Sequence, residues 1–440
     1  MSEGSIAAAI SIFAASIMDG DESSVDDDNS VSSCSIQLGF VDTQRSNRLF
    51  RHPNWLDWDG GIVGGRPVWL NPNPKFLLRP GDLACLYCCD PMMFLLQIYC
   101  PLDEPDTAFH RSLYLFCCRR AGCVDKGQGA VKCFRCQLPK ENDYYPKNPS
   151  VAFYTEELDK RCIIFKEECI VCGCYASNVC SRCKKVYYCS KAHQKEHWKT
   201  HKLYCGDEAV QSSPTYYKLE TEDIERNITY PQYDLLVEDE ILDDVAVIDK
   251  ADDTVMNANI WDDAMCEAGD EDDDENVTQT EYRKALGNDS FVTDKAYEKF
   301  IERVRLGGAD QVLRYCRWNN TGRIFISMEQ NSSSLEKSTP RCQRCGAERK
   351  IEFQVLPQLL YFLSVDKKTS VAVLPDQVTD TPKDHASERE SLIGAFKNKR
   401  GEDIDWGIID VFTCTLSCSG EYAYVEEAVH IQPPYTTKAI

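Results

Sequence analysis

Residues 169–205 read CIVCGCYASNVCSRCKKVYYCSKAHQKEHWKTHKLYC, with thiols and imidazoles recurring at spacings that suit a bound metal ion. A C-x-x-C pair turns the backbone so that two thiolates reach one ion, and zinc takes four such ligands at about 2.0–2.3 Å in a tetrahedron. Eight candidates fall in four pairs: Cys169/Cys172, Cys180/Cys183, Cys189/His193 and His201/Cys205. The last two pairs have i,i+4 spacing, which puts each on one face of a helix if residues 190–205 are largely helical. Along such a helix His193 and His201 are about 12 Å apart, too far to share an ion. The spacing therefore predicts interleaved sites, with Cys169, Cys172, Cys189 and His193 around one Zn2+ and Cys180, Cys183, His201 and Cys205 around another. Sites filled in chain order would need a break in the helix, and nothing in KAHQKEHWKTHK supplies one. A run that closes its own two sites is expected to need little from its neighbours.

Two more clusters lie outside this run. Gly65-Arg66 precedes Cys85 by 20 residues, and Gly322-Arg323 precedes Cys342 by the same 20. Each of those cysteines opens a C-x-x-C pair, Cys85/Cys88 and Cys342/Cys345, followed by an apolar run ending at Pro101 or Pro357. Each copy then carries a cysteine-bearing strand, LYLFCC or IDVFTC, and one more cysteine, Cys123 or Cys418. Four landmarks in the same order indicate a duplication. The repeat predicts one metal site from Cys85, Cys88, Cys118 and Cys123, where Cys117 competes with Cys118, and another from Cys342, Cys345, Cys414 and Cys418. The alternative for both is buried thiols packed as small hydrophobes. Cys133 and Cys136 form a further C-x-x-C pair without a second pair to complete it, and are read as buried thiols.

The elements that must hold these clusters read as mainly β. VGGRPVWL, FLLQIYC, SLYLFCC, RIFIS, IEFQVL and IIDVFTC are short apolar runs between Gly- and Pro-bearing turns. In KAYEKFIERVRLGG, Tyr297, Phe300, Ile301 and Val304 recur at helical spacing. The expected class is α+β, mainly β: two related zinc-stapled modules forming one duplicated body, with an inserted finger. The expected boundaries are a disordered extension 1–34, a β-rich module 35–165, the finger 166–207, an acidic disordered linker 208–290 and a second β-rich module 291–440 with a polar insertion 366–405. The chain of 440 residues has 24 cysteines and a formal charge of −22. The apolar residues 6–18 lack the basic flank of a secretory signal and are too short to span a bilayer, so a soluble intracellular protein without membrane partners is expected. Between Asp234 and Glu275 there are 18 acidic residues and one basic residue, Lys250. Such a charge disfavours direct nucleic-acid binding and suits a basic partner.

The ending C-S-x-x-H-Q-x-x-H-W-x-x-H-K-x-x-C closely resembles the MYND zinc finger, with His193 where most of that family has cysteine. His197 matches a position that the family does not use for metal. The flanks LGFVDTQ, VGGRPVWL, CLYCCDPMMFLLQIYCPL, FHRSLYLFCC, QVLRY, CGAERKIEFQVLPQLL and DWGIIDVFTC resemble the programmed cell death protein 2 family, in its form with a MYND finger between the halves. That resemblance implies an ATP-independent chaperone that captures a newly made, basic small-subunit ribosomal protein (the bacterial S5 family, S2 in eukaryotes) and supports 40S subunit biogenesis. It implies a cytoplasmic location, with passage into the nucleus. The chain contains no G-x-x-x-x-G-K-[ST] loop, dinucleotide fingerprint or H-E-x-x-H, so it is not read as an enzyme. The rival is a transcriptional adaptor whose MYND finger docks proline-containing peptides, with Tyr187, Tyr188 and Trp198 as candidate contacts.

Overall fold

The computed structural model describes residues 35–43, 61–145, 167–207, 229–240, 294–308, 310–327, 338–363, 404–418 and 423–435. The N-terminal extension, the polar insertion and most of the acid-rich linker lie outside the described residues. The elements are β1 Gln37–Asp42, β2 Gly61–Val63, β3 Met93–Tyr99, β4 His110–Cys117, α1 Ala121–Val124, β5 Val131–Leu138, β6 Asn178–Val179, β7 Tyr187–Tyr188 and α2 Lys191–His201. They continue with β8 Tyr233–Asp239, α3 Lys295–Gly307, β9 Gln311–Tyr315, β10 Arg349–Val355, α4 Leu359–Phe362, β11 Ile408–Cys414 and β12 Val425–Gln432. Ten of the strands close an antiparallel barrel in the order β1-β8-β2-β3-β4-β5-β12-β11-β10-β9, while β6 and β7 form a hairpin in the finger. None of the described helices is long and apolar enough to cross a membrane.

The barrel is two four-stranded meanders, β2-β3-β4-β5 and β9-β10-β11-β12. They meet directly where Val425–Glu427 of β12 pair with Arg135–Cys133 of β5. On the opposite side the β1·β8 pair fills the gap, β1 bonding to β9 and β8 to β2. The constant offset of the cysteine landmarks extends into the strands and confirms the duplication. Gly65 and Gly322, Cys85 and Cys342, and Gln97 and Gln354 are each 257 residues apart. The β3·β4 pairing slips by one residue at Leu95 and the β10·β11 pairing at Glu352, which is the same offset again.

The segments after the two Gly-Arg pairs are not strands. Each crosses the outside of its meander and hangs on a glutamine: Val68 N–H donates to Gln97 Oε1 at 2.8 Å, and Ile324 N–H to Gln354 Oε1 at 2.9 Å. Trp69 then packs on Tyr114 and Tyr424, and Ile324 and Ile326 are buried against Phe300 and Val304 of α3. Asp294 caps that helix, accepting from Ala296 N–H at 2.9 Å. Ile301, expected on its buried face, is 44% exposed.

The linker expectation fails at residues 229–240, which the barrel incorporates. Leu235 is buried because Gly61 leaves room for it; a Cβ there would lie 2.6 Å from that of Leu235. Gly64, at φ +66°, carries the chain past Pro231, whose carbonyl oxygen would lie 1.9 Å from any Cβ. Glu240 is buried and paired with Arg314 at 2.8 Å and Arg303 at 3.6 Å. The acidic run therefore begins as structure, and its remainder, 241–275, lies outside the described residues.

The lumen carries an ion pair between the repeats. Arg111 of β4 and Glu352 of β10 are both fully buried, and their strands are not neighbours, so the pair reaches across the barrel. Arg111 Nη2 donates to Glu352 Oε2 at 2.6 Å, Tyr315 donates to Oε1 at 2.8 Å, and Thr413 donates to Oε2. Burial would raise the Glu352 pKa, but Arg111 and these donors outweigh it and hold it at about 2 against the usual 4.5. A depressed carboxylate contributes stability that is present above its unfolded value and lost as pH falls through its folded one. Glu352→Gln is expected to lower unfolding free energy at neutral pH by about 3–5 kcal/mol, because Arg111 is left buried and unpaired. In urea titrations the gap between variant and wild type should close as pH falls from about 4.5 to about 2. A gap independent of pH would contradict this account.

Candidate metal centres

Four C-x-x-C pairs share one backbone geometry. In each, the residue after the second cysteine has a positive φ: Cys89 at 60°, Gly173 at 74°, Lys184 at 56° and Gly346 at 73°. Its N–H donates to the carbonyl of the first cysteine at 2.8–2.9 Å, closing the turn around Cys85, Cys169, Cys180 and Cys342. For three of these turns the backbone N–H groups also act on the first thiol. Burial opposes ionisation of Cys180 and Cys342, but the N–H groups of Cys183 and Arg182 with the His201 side chain, and the N–H groups of Cys345 and Arg344 with the neighbouring thiols, outweigh it and hold both thiols near 7. Cys85 is lowered in the same way, by Cys88 and Tyr87. A thiolate is the form that ligates metal. Cys133 and Cys136 instead lie along β5, three residues apart on opposite faces of a straight strand, and burial pushes both thiols up, Cys136 to about 12.

The second pair of each set comes to meet its turn. Ser190 caps α2 through His193 N–H, and the helix brings Cys189 and His193 to one end and His201 to the other. Cys169, Cys172, Cys189 and His193 place their ligand atoms within 4.8 Å of one another, as do Cys180, Cys183, His201 and Cys205. The interleaved arrangement is therefore the observed one. In the flanks, Cys85, Cys88, Cys118 and Cys123 converge, and so do Cys342, Cys345, Cys414 and Cys418. Ligand separations of 3.5–3.6 Å for Cys172–Cys189, Cys180–Cys205, Cys88–Cys118 and Cys342–Cys418 match the ~3.8 Å edge of a tetrahedron with 2.3 Å bonds. All four sets thus fit a tetrahedral metal ion with soft ligands. Cys117 points away and is fully buried, and His197 is bonded to the Tyr188 hydroxyl at 2.9 Å rather than joining a cluster.

Two features were not read from the sequence. Cys174, buried at 3.2 Å from the Cys172 sulfur, is a fifth thiol beside the first finger site; its C-x-C spacing was the available signal. The finger is also docked rather than independent. Trp69 Nε1–H donates to the Gly173 carbonyl at 2.7 Å, Tyr175 N–H donates to Leu78, and Arg79 lies 3.6 Å above the Tyr175 ring.

Three family descriptions match the chain: the N-terminal domain of programmed cell death protein 2 over residues 35–152, the MYND finger over 169–205 and the C-terminal domain of programmed cell death protein 2 over 294–433. The programmed cell death protein 2 of Mus musculus is 35% identical over 375 residues, covering 83% of this chain and 89% of the relative. This chain belongs to the programmed cell death protein 2 family. Its relative in Rattus norvegicus is 33% identical over 400 residues, 90% of this chain and 95% of the relative. The relative in Bos taurus is 32% identical over 402 residues, 89% of this chain and 95% of the relative. No solved structure matches the chain. The two family domains coincide with the two halves of the barrel, except that β8 falls between them and belongs to neither match.

The geometry separates structural thiols from ligands. Cys345→Ser is expected to lower bound divalent metal by one equivalent, and Cys133→Ser by none, as read by elemental analysis of the purified protein. Equal metal content in the two variants would undo the distinction.

Proposed function

We propose that the protein is a zinc-stapled, ATP-independent chaperone that captures a newly made, basic small-subunit ribosomal protein, of the bacterial S5 and eukaryotic S2 family, and delivers it toward the 40S subunit. Membership of the programmed cell death protein 2 family, matched over both halves of the barrel, carries this reading. The donor sets support zinc as the metal: two Cys3His sets among four tetrahedral groups are what that ion takes in structural sites. With four protein ligands each, the clusters offer no open position for a reacting water, in keeping with a binding protein rather than an enzyme. The acid-rich residues 241–275 supply a charge that can shield Lys and Arg side chains of a client before it meets RNA. Capture during synthesis would place this activity in the cytoplasm, with passage to the nucleus alongside the client. The adaptor reading is weaker, since Tyr188, one of its three candidate contacts, is fully buried against His197.

Purification of the tagged full-length protein from a cytosolic extract at low salt should recover a basic ribosomal protein at near one-to-one stoichiometry. Recovery of proline-containing transcription factors and no ribosomal protein would overturn the chaperone reading. Trp198, on the finger surface and 39% exposed, gives a finer test that spares the Trp69 contact. Trp198→Ala is expected to leave client capture within about twofold of wild type, whereas an adaptor would lose its partner. Elemental analysis should return zinc at about four ions per chain, one for each cluster.

A further inference from the structure

The two flanking clusters correspond in the repeat but differ in what lies beneath them. Under the C-terminal cluster, Glu427 of β12 is buried and holds two guanidinium groups, accepting from Arg135 Nε at 2.6 Å and from Arg349 Nε at 2.8 Å. Each arginine then grips one arm of the cluster. Arg349 donates to the carbonyls of Pro340 and Arg341, both at 3.0 Å, immediately before Cys342. Arg135 donates to the Cys418 carbonyl at 3.0 Å and lies 4.0 Å from its sulfur. Neighbouring contacts tie the same arm down, since Gln137 donates to the Ser417 carbonyl at 3.0 Å and Arg111 to the Ser417 hydroxyl at 3.1 Å.

Arg111, Arg135 and Gln137 belong to the N-terminal repeat, whereas all four cysteines belong to the C-terminal one. Arg135 also sits on the short seam where β5 pairs with β12. Among the described residues, the N-terminal cluster has no such clasp. The positions corresponding to Arg349 and Glu427 there are Met92 and Val131, both buried and apolar. The charged pairs beside that cluster, Arg120 with Asp90 and Arg119 with Glu196 of the finger helix, are exposed to solvent.

We propose that Arg135 is a positioning residue for the C-terminal metal site, so that metal binding at Cys342, Cys345, Cys414 and Cys418 and closure of the β5·β12 seam are one coupled equilibrium, while the N-terminal cluster loads independently of the other repeat. The physical basis is linkage. A group that orients a ligand strengthens the metal site, and by reciprocity the bound metal holds that group and its strand in place. The guanidinium also places positive charge beside a cluster that carries excess negative charge when four thiolates meet one divalent ion. The N–H groups of Arg135 fix Cys418 in the orientation that completes the tetrahedron.

This inference rests on the zinc reading above, and full-length protein tests the two separately. Zinc release is followed by elemental analysis against increasing chelator. Arg135→Met is expected to release one of its zinc ions at ~10–100-fold lower chelator concentration than wild type, with Arg135→Lys intermediate and Arg120→Ala unchanged. After exchange with Co2+, Arg135→Met should lose the thiolate-to-cobalt charge-transfer intensity of one all-thiolate site, 4 of the 14 thiolate–cobalt bonds in the four clusters, at a chelator concentration that leaves the wild-type band intact. In the reciprocal arm, Cys345→Ser should speed amide exchange at Cys133–Arg135 and Val425–Glu427, and Cys88→Ser should not. Wild-type release from Arg135→Met, or unchanged seam exchange in Cys345→Ser, overturns the coupling. If Arg135→Met fails to fold, the exchange arm decides alone. A wild-type protein without metal at the C-terminal cluster would instead overturn the zinc reading itself.

Discussion

Inside the barrel, neither Arg111 nor Glu352 can remain charged without the other. Both are sealed from water, and an unpaired buried charge costs several kcal/mol. Because one belongs to each repeat, the pair makes the interior of one half incomplete in the absence of the other. Arg135 and Glu427 repeat the same dependence at the seam. Polar interiors of this kind are expensive unless every group is satisfied, and here Tyr315, Thr413 and Ser417 supply the remaining partners. The duplicated halves are thus not two domains that happen to touch. They are complementary parts of one interior.

The same dependence explains why the repeats have diverged where they have. Glu352 stands at the bulge position that Leu95 fills in the first repeat, and the Gln97/Gln354 anchors are retained in both. The glutamines hold their crossing segments in place within each half, so each copy needs its own. The cross-barrel carboxylate needs only one copy, since one arginine faces it.

The metal ligands were legible because their constraint is local. Two thiols three residues apart and a helix with i,i+4 partners determine which side chains can meet, and the eight-residue gap between His193 and His201 forces the interleaving before any tertiary contact is considered. The duplicated halves were legible from the cysteine landmarks for a similar reason. Strands whose partners are charged were not. β8 was hidden in an acidic run because Asp234 and Glu240 are buried there, Glu240 against Arg314 and Arg303, a compensation that lies more than sixty residues away. β12, VEEAVHIQ, is not among the runs that read as strands, because its buried Glu427 makes sense only beside the two arginines that meet it. Conversely, RPVWL and RIFIS have strand-like patterns, but Val68 and Leu70 N–H donate to the Gln97 and Tyr114 side chains, and Ile324 and Ile326 N–H to the Gln354 and Gln432 side chains, instead of to the backbone of a neighbouring strand.

The position of β8 between β1 and β2 has a consequence for how the chain is made. β1 ends at Asp42 and finds its first partner at Tyr233–Asp239, and its second at Gln311–Tyr315. At a ribosomal rate of 5–20 residues per second, β1 waits on the order of 10–40 s for β8 to emerge. Throughout that interval the first meander has two open edges, each able to pair with any extended chain nearby. The knuckle at Cys85 and both finger sites are complete by Cys205 and can load metal during the wait. Vectorial synthesis therefore gives this protein a metal-stapled but unclosed nascent form, whose strand edges stay exposed until the strand that closes the barrel arrives.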